Sequence, residues 1–189
     1  QDVFPREQVI RERAFSGSYA PGKNLDSTVA YCVDERGVKM LNESANVAVI
    51  ITRPALADRV HQDKGVVASE HPQRDYYLLH NQMVSLQWIR PLNDSYIDST
   101  AEIAPTAIIG ANVHVGKNVR IGNYVIIEPN SFIGERCDID SFAVIGASSM
   151  QRTHIEGQTV PLAFAGGVQI GARSQILTGA IIQRPYQGF

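Results

Sequence analysis

From Ile103 to Gly146 the chain reads IAPTAI IGANVH VGKNVR IGNYVI IEPNSF IGERCD IDSFAV IG, and each group of six opens with isoleucine or valine. These positions are Ile103, Ile109, Val115, Ile121, Ile127, Ile133, Ile139 and Ile145. An α-helix repeats its apolar residues at three and four and a strand at two, so a strict six belongs to neither element alone. It fits a coil of three short flat strands, each six residues with its corner, wound into a triangular prism. The first residue of every hexad then points inward, where β-branched side chains stack on their copies in adjacent coils. All eight positions are expected to be buried.

The other positions of the hexad agree. Two residues before each start stand Ala101, Ala107, Val113, Val119, Val125, Ser131, Cys137 and Ala143, all small or β-branched, as a narrow corner requires. Glycine dominates the position after the start, as in Gly110, Gly116, Gly122 and Gly134, which signals crowding or unusual backbone there. Asn112, Asn118 and Asn130 recur three after a start, where Asn tolerates left-handed geometry. The segments IGANVH, VGKNVR and IGERCD resemble the hexapeptide repeat of the left-handed β-helix acyltransferases. The left hand is implied by that resemblance and departs from the right-handed crossover rule.

After Gly146 the rhythm stops. ASSMQRTHIEGQTVPLAFAG intervenes before Val168, IGARSQ and ILTGAI resume it. Ile145 to Ile170 is 25 residues, so the phase slips by one. A loop at about 147–166 is expected to leave the prism and return one coil later. Long loops in compact repeats are functional or disordered, and this one holds Arg152, Thr153 and His154. The sequence stops at IIQRPYQGF in mid-coil, without the terminal cap a stacked solenoid needs, so further coils are expected after Phe189.

The first part of the chain has another composition. STVAYCVDE, SANVAVIITR and KGVVASE read as strands, the second nearly continuous in valine and isoleucine. HPQRDYYLLHNQMVSL reads as a helix with Pro72 near its start and Tyr76, Leu79 and Met83 on one face. The expected organisation is a small α/β domain over residues 1–86, a linker at 87–98, and the left-handed parallel β-helix over 99–189.

This order resembles the UDP-3-O-acylglucosamine N-acyltransferases of lipid A synthesis, in which a small uridine-binding domain precedes a hexapeptide prism. STVAYCVDERGVKMLNESANVAVIIT is similar to that family's strand, substrate loop and second strand, and KGVVASEHPQRDYYLLHNQM to its third strand and helix. The resemblance implies that Tyr31 stacks on the base. Asp34 stands where the family has Asn and would accept hydrogen bonds from the base or ribose, while Gly37 stands where it has Tyr. It further implies a cytoplasmic homotrimer with sites between prisms and no bound cofactor. Such an enzyme moves an acyl group from acyl carrier protein or coenzyme A to a nucleotide-linked amino sugar.

Acyl transfer needs a base to take the acceptor's proton. The resembling N-acyltransferases carry a His two residues after a hexad start. Those positions here are Pro105, Ala111, Lys117, Asn123, Pro129, Glu135, Ser141 and Ala172. The base therefore lies after Phe189 or elsewhere in the chain. Sugar and antibiotic O-acetyltransferases with the same prism carry their His in an excursion loop, often after Thr or Asn, and QRTHIEGQTVPLAFAGGVQIGARSQI resembles that loop and its return. His154 is then the candidate base. The alternatives are a sugar O- or N-acetyltransferase using acetyl-coenzyme A and a non-catalytic binding or scaffold prism. His114, just before the inward Val115, is expected to point outward as a surface or trimer contact; His61 and His71 fall in loops and His80 on the helix.

Other classes are disfavoured. No trio of His has metal-ligand spacing, against the zinc-holding carbonic anhydrase relatives of this prism. No GxGxxG opens the front domain. From Ser99 onward basic and acidic residues balance at six each, without the basic stripe a nucleic acid requires. No run of about 18 apolar residues could span a membrane. Cys32 and Cys137 are far apart and read as reduced thiols of a cytosolic protein.

Overall fold

A computed structural model describes residues 4–18, 26–88, 93–149, 151–155 and 157–188. Residues 89–92 of the expected linker and 150 and 156 of the expected excursion lie outside the described residues. The chain forms two compact units, residues 1–90 with 151–163 and residues 91–150 with 164–189.

In the first unit, β1 (Val9–Arg11), β2 (Gly17–Ser18), β3 (Thr28–Tyr31), β4 (Val47–Thr52) and β5 (Gly65–Ala68) form one sheet in the order β1-β5-β4-β3-β2. Strands β2 to β5 are parallel, and β1 closes the edge antiparallel to β5. All six residues of β4 are buried. Helices on both faces explain why VAVIIT is continuously apolar rather than alternating. On one face α1 (Glu35–Glu43) packs Val38 and Leu41 with Ala30, Ile50 and Val66. On the other, α2 (Pro72–Ser85) lays Tyr76, Leu79 and Met83 against Val29, Val49, Ile51 and Val67. Pro72 suits the first turn of α2, where its missing N–H would have had no intrahelical partner. Lys64 is buried, and its Nζ donates to the carbonyls of Ser44 (2.9 Å) and Val47 (2.8 Å), placing a cation at the C-terminal end of α1.

The second unit is a three-sided parallel β-helix. Its strands are β6 (Tyr96–Ile97), β7 (Glu102–Ile103), β8 (Ile108–Ile109), β9 (His114–Val115), β10 (Arg120–Ile121), β11 (Ile126–Ile127), β12 (Phe132–Ile133), β13 (Asp138–Ile139) and β14 (Val144–Ala147). An antiparallel hairpin of β15 (Gln151–Ile155) and β16 (Gln158–Leu162) follows, and then β17 (Gln169–Ile170), β18 (Gln175–Ile176) and β19 (Ile181–Gln183). On the first side Ile97, Val115, Ile133 and Ile170 lie in register. The second side aligns Ile103, Ile121, Ile139 and Ile176, and the third Ile109, Ile127, Ile145 and Ile182. The inner column is the hexad start of the sequence, and the outer residue of each short strand is the one before it.

Two expectations change. Six of the eight hexad starts are at most 2 % exposed, but Ile103 and Ile109 are only partly buried. Both belong to end strands of their sheets, with a coil on one side instead of two. Second, Tyr96–Ile97, within the stretch read as linker, pairs with His114–Val115 and supplies the first rung of the prism. The excursion skips no coil: Ile170 pairs with Ile133, the next rung in order, so the chain returns one coil after it leaves and the insertion is a side branch at one corner. That branch is the hairpin β15–β16, and it belongs to the first unit rather than to the prism.

The corners explain the asparagines. Asn112, Asn118 and Asn130 have φ of 55, 53 and 64°, and the equivalent Tyr124, Arg136, Phe142 and Arg173 share that left-handed backbone. Outside the prism the three sides differ in chemistry. The first presents Tyr96, His114 and Phe132, whose rings stack at centroid distances of 4.9 and 4.5 Å. The second presents Glu102, Arg120 and Asp138, with Arg120 and Asp138 paired at 2.6 Å. The third presents Ile108, Ile126, Val144 and Ile181, of which Ile108 and Ile181 are more than half exposed.

Candidate functional site

The parallel strands of the first unit deliver their carboxyl ends to one edge of the sheet, the place where open α/β sheets form ligand crevices. The chain leaves β3 through Cys32 and Asp34. Cys32 N–H bonds the Ile51 carbonyl (3.0 Å), extending the ladder one residue. Asp34 then caps α1: its Oδ1 accepts from the Gly37 N–H at 2.7 Å. Any side chain at Gly37 would bring its Cβ to 2.7 Å from the Cβ of Cys32, so the position that resembles the family's Tyr is closed to one. Within the stretch that resembles a strand, substrate loop and second strand, residues Glu35–Glu43 form helix α1. Asp34 itself is exposed.

Cys32 is buried and its thiol donates to Thr52 Oγ1 at 3.5 Å. Burial holds the thiol pKa above its ordinary value; the Thr52 bond opposes this, and the charge of Asp34 adds to the rise. Beyond β5, Ser69 organises the start of α2. Its N–H bonds the Thr52 carbonyl (2.8 Å), and its hydroxyl accepts from the His71 N–H (2.9 Å) and donates to Asp75 Oδ2 (2.6 Å). Arg74 closes the other side of that carboxylate, with Nε and Nη2 at 3.1 and 3.0 Å from Asp75 Oδ1.

Tyr31 sits at the end of β3, half-buried, with its ring centroid 5.0 Å from that of Tyr76 and 6.1 Å from that of Tyr77. Tyr76 and Tyr77 are 5.5 Å apart, so three tyrosines form one cluster at the carboxyl edge. The sequence pattern places Tyr76 on the inner face of the helix but gives no sign that Tyr77 also reaches Tyr31. That contact joins residues 46 positions apart, and only the register of β3 against α2 creates it.

His154 lies on the exposed face of β15, opposite Thr159, whose Oγ1 is 3.5 Å from its Nδ1. The inner face of the hairpin buries Ile155, Val160 and Leu162. Tyr31 and Asp34 thus share the carboxyl edge, and His154 stands on a separate element.

The outward side of the prism carries a second group. His114, half-buried and held between the Tyr96 and Phe132 rings, lines a shallow cavity of about 260 Å³ with Asp98, Lys117 and Glu135. The hydroxyl and N–H of Thr100 bond Asp98 Oδ1 and the Tyr96 hydroxyl bonds Oδ2, and these donors hold the carboxyl below its usual range. The same contact to Asp98 pushes the Tyr96 phenol up. Among the described residues no group of three or more His, Cys, Asp or Glu is placed to hold a metal ion. No helix among them is long and apolar enough to cross a membrane.

Residues 100–135 match the family described as bacterial transferase hexapeptide (six repeats). Among solved structures, the chain is similar to two variants of a perosamine N-acetyltransferase from Caulobacter crescentus, both in complex with CoA and GDP-perosamine. A histidine-to-alanine variant shares 16% identity, over 82% of this chain and 70% of that one, at a TM-score of 0.16. A histidine-to-asparagine variant shares 17% identity over the same proportions, at a TM-score of 0.17. No curated protein matches the sequence.

Proposed function

We propose that this chain is an acyltransferase that moves an acyl group from a coenzyme A or acyl carrier protein thioester to a nucleotide-linked amino sugar in the cytoplasm, in the manner of the UDP-3-O-acylglucosamine N-acyltransferases. One observation carries the reading: a cluster of three tyrosines at the carboxyl edge of a parallel sheet occurs in one chain with a hexapeptide prism. In this reading Tyr31 offers its ring to the base, and the exposed Asp34 carboxylate accepts from the base or ribose. His154 takes the proton of the acceptor amine as its nitrogen attacks the thioester carbon. The C–N bond forms, the C–S bond breaks, and the proton passes to the departing thiolate.

The working assembly in this reading is a homotrimer. The aromatic and aliphatic sides of the prism are the two that favour burial, and the charged side with Arg120 and Asp138 suits water. A ring in which the aromatic side of one copy meets the aliphatic side of the next closes without leaving either exposed. Light scattering at micromolar concentration tests this, and a monomer speaks against it.

The function is tested by calorimetry with UDP-sugars, acetyl-coenzyme A and acyl carrier protein, followed by an acyl-transfer assay. Tyr31→Ala is expected to weaken nucleotide-sugar binding by roughly tenfold or more, the loss of one base–aromatic stack. His154→Ala is expected to lower the rate by roughly 100-fold or more without changing the melting temperature. Nucleotide-sugar affinity that ignores Tyr31→Ala removes the tyrosine cluster from the proposal, and acyl transfer that survives His154→Ala removes the base.

A further inference from the structure

We propose that His80 and Asn81 are positioning residues: they hold the hairpin β15–β16, and through α2 they tie its order to ligand binding at the tyrosine cluster. The inference rests on the reading of that cluster as a nucleotide site and of His154 as a hairpin residue that must be held in place. A two-stranded hairpin is marginally stable alone in water and needs a surface to pack on. Here that surface is α2.

Asn81 uses both ends of its amide. Its Nδ2 donates to the Pro161 carbonyl at 2.6 Å, and its Oδ1 accepts from the Ala163 N–H at 2.8 Å. One side chain thus stands in for a third strand along the returning edge of the hairpin. His80 is fully buried beside it, with Nε2 at 2.9 Å from the Ala163 carbonyl. That acceptor can only receive, so Nε2 carries the proton.

The spacing on α2 supplies the coupling. Tyr76 and His80 are four residues apart, and so are Tyr77 and Asn81, so each of these two tyrosines lies one helical turn from a residue that grips the hairpin, on the same stripe. Tyr76 and Tyr77 are the rings that pack on Tyr31. A planar ligand stacking at Tyr31 must be accommodated by these two rings, and the adjustment reaches His80 and Asn81 over a single turn of rigid helix.

The test is hydrogen exchange of the full chain, read on the amides of residues 151–162, with and without UDP-N-acetylglucosamine at saturation. Asn81→Ala is expected to speed hairpin exchange roughly tenfold or more while the amides of β3 to β5 keep their protection. Asn81→Asp keeps the acceptor for Ala163 and is expected to fall between the two. In the parent chain the nucleotide sugar is expected to slow hairpin exchange, and in Asn81→Ala this response is expected to vanish while calorimetry still shows binding. In turnover the same variant should lower kcat and leave the KM for the nucleotide sugar unchanged. Unchanged hairpin exchange in Asn81→Ala overturns the positioning role. Binding without any slowing of the hairpin in the parent chain overturns the coupling. Absence of binding at Tyr31 overturns the nucleotide reading and the coupling together, and the Asn81→Ala exchange still decides the positioning role.

Discussion

A Cβ added to Gly134 would lie 2.6 Å from the backbone nitrogen of Ala172, which belongs to the next coil. The glycine after the hexad start is therefore demanded by close approach of two backbones. Gly171 occupies the same hexad position with nothing within 4 Å of its added Cβ. Gly134→Ala is expected to destabilise the chain by about 1–3 kcal/mol, the usual cost of overpacking, and Gly171→Ala by less than about 0.5 kcal/mol. Paired thermal melts measure the difference, and equal effects would contradict the coil spacing.

Ile133 is fully buried, with Val115 on one side and Ile170 on the other. Truncation to Ala should cost about 2–5 kcal/mol, since the stack closes poorly over the gap. Ile133→Asp should cost more, because a carboxylate in this column has no partner. Ile103→Ala is expected to be milder than Ile133→Ala, as its site is open on one side. Urea melts should rank the losses with Ile133→Asp the largest, Ile133→Ala next and Ile103→Ala the smallest.

Much of the prism is legible because three flat sides force one residue in six inward, and no other element imposes that period. Ile97 obeys the same rule one step before Ile103, but it sits among Asp94, Ser95, Asp98 and Ser99 and is half exposed, so composition hides it. The hairpin is hidden differently. Its apolar residues Ile155, Val160 and Leu162 are few, and only packing on α2 makes them a face. Asp34 carries the local signature of a cap, an aspartate directly before a helix with Glu35 in its first turn. The grouping of Tyr31 with Tyr76 and Tyr77 is a tertiary fact that no local pattern contains.

The two roles of Asp34 can be separated. Asparagine is as good a helix cap as aspartate, whereas alanine loses the bond to Gly37. Asp34→Ala is expected to cost about 1 kcal/mol of stability, and Asp34→Asn close to none. If the carboxylate also receives hydrogen bonds from a ribose or base, Asp34→Asn should weaken nucleotide-sugar binding while the melting temperature holds. Equal affinity for the parent chain and Asp34→Asn would leave the residue as a cap alone.

His80 gives a pH dependence with a definite sign. Burial pulls its pKa below the ordinary 6.5, and the hydrogen bond to Ala163 opposes this only in part. The unfolded chain therefore binds a proton at this residue more readily than the folded chain. The stability contributed by the neutral, buried ring is fully present above about pH 6.5 and is lost as the pH falls from there towards the lower pKa of the folded state. For one proton the limiting slope is about 1.4 kcal/mol per pH unit. Urea denaturation between pH 8 and pH 5 should show a steeper acid loss in the parent chain than in His80→Gln, which cannot take up the proton. The comparison cancels the contributions of every group that both chains share. Parallel stability curves for the two chains would show that His80 is not a source of the acid sensitivity.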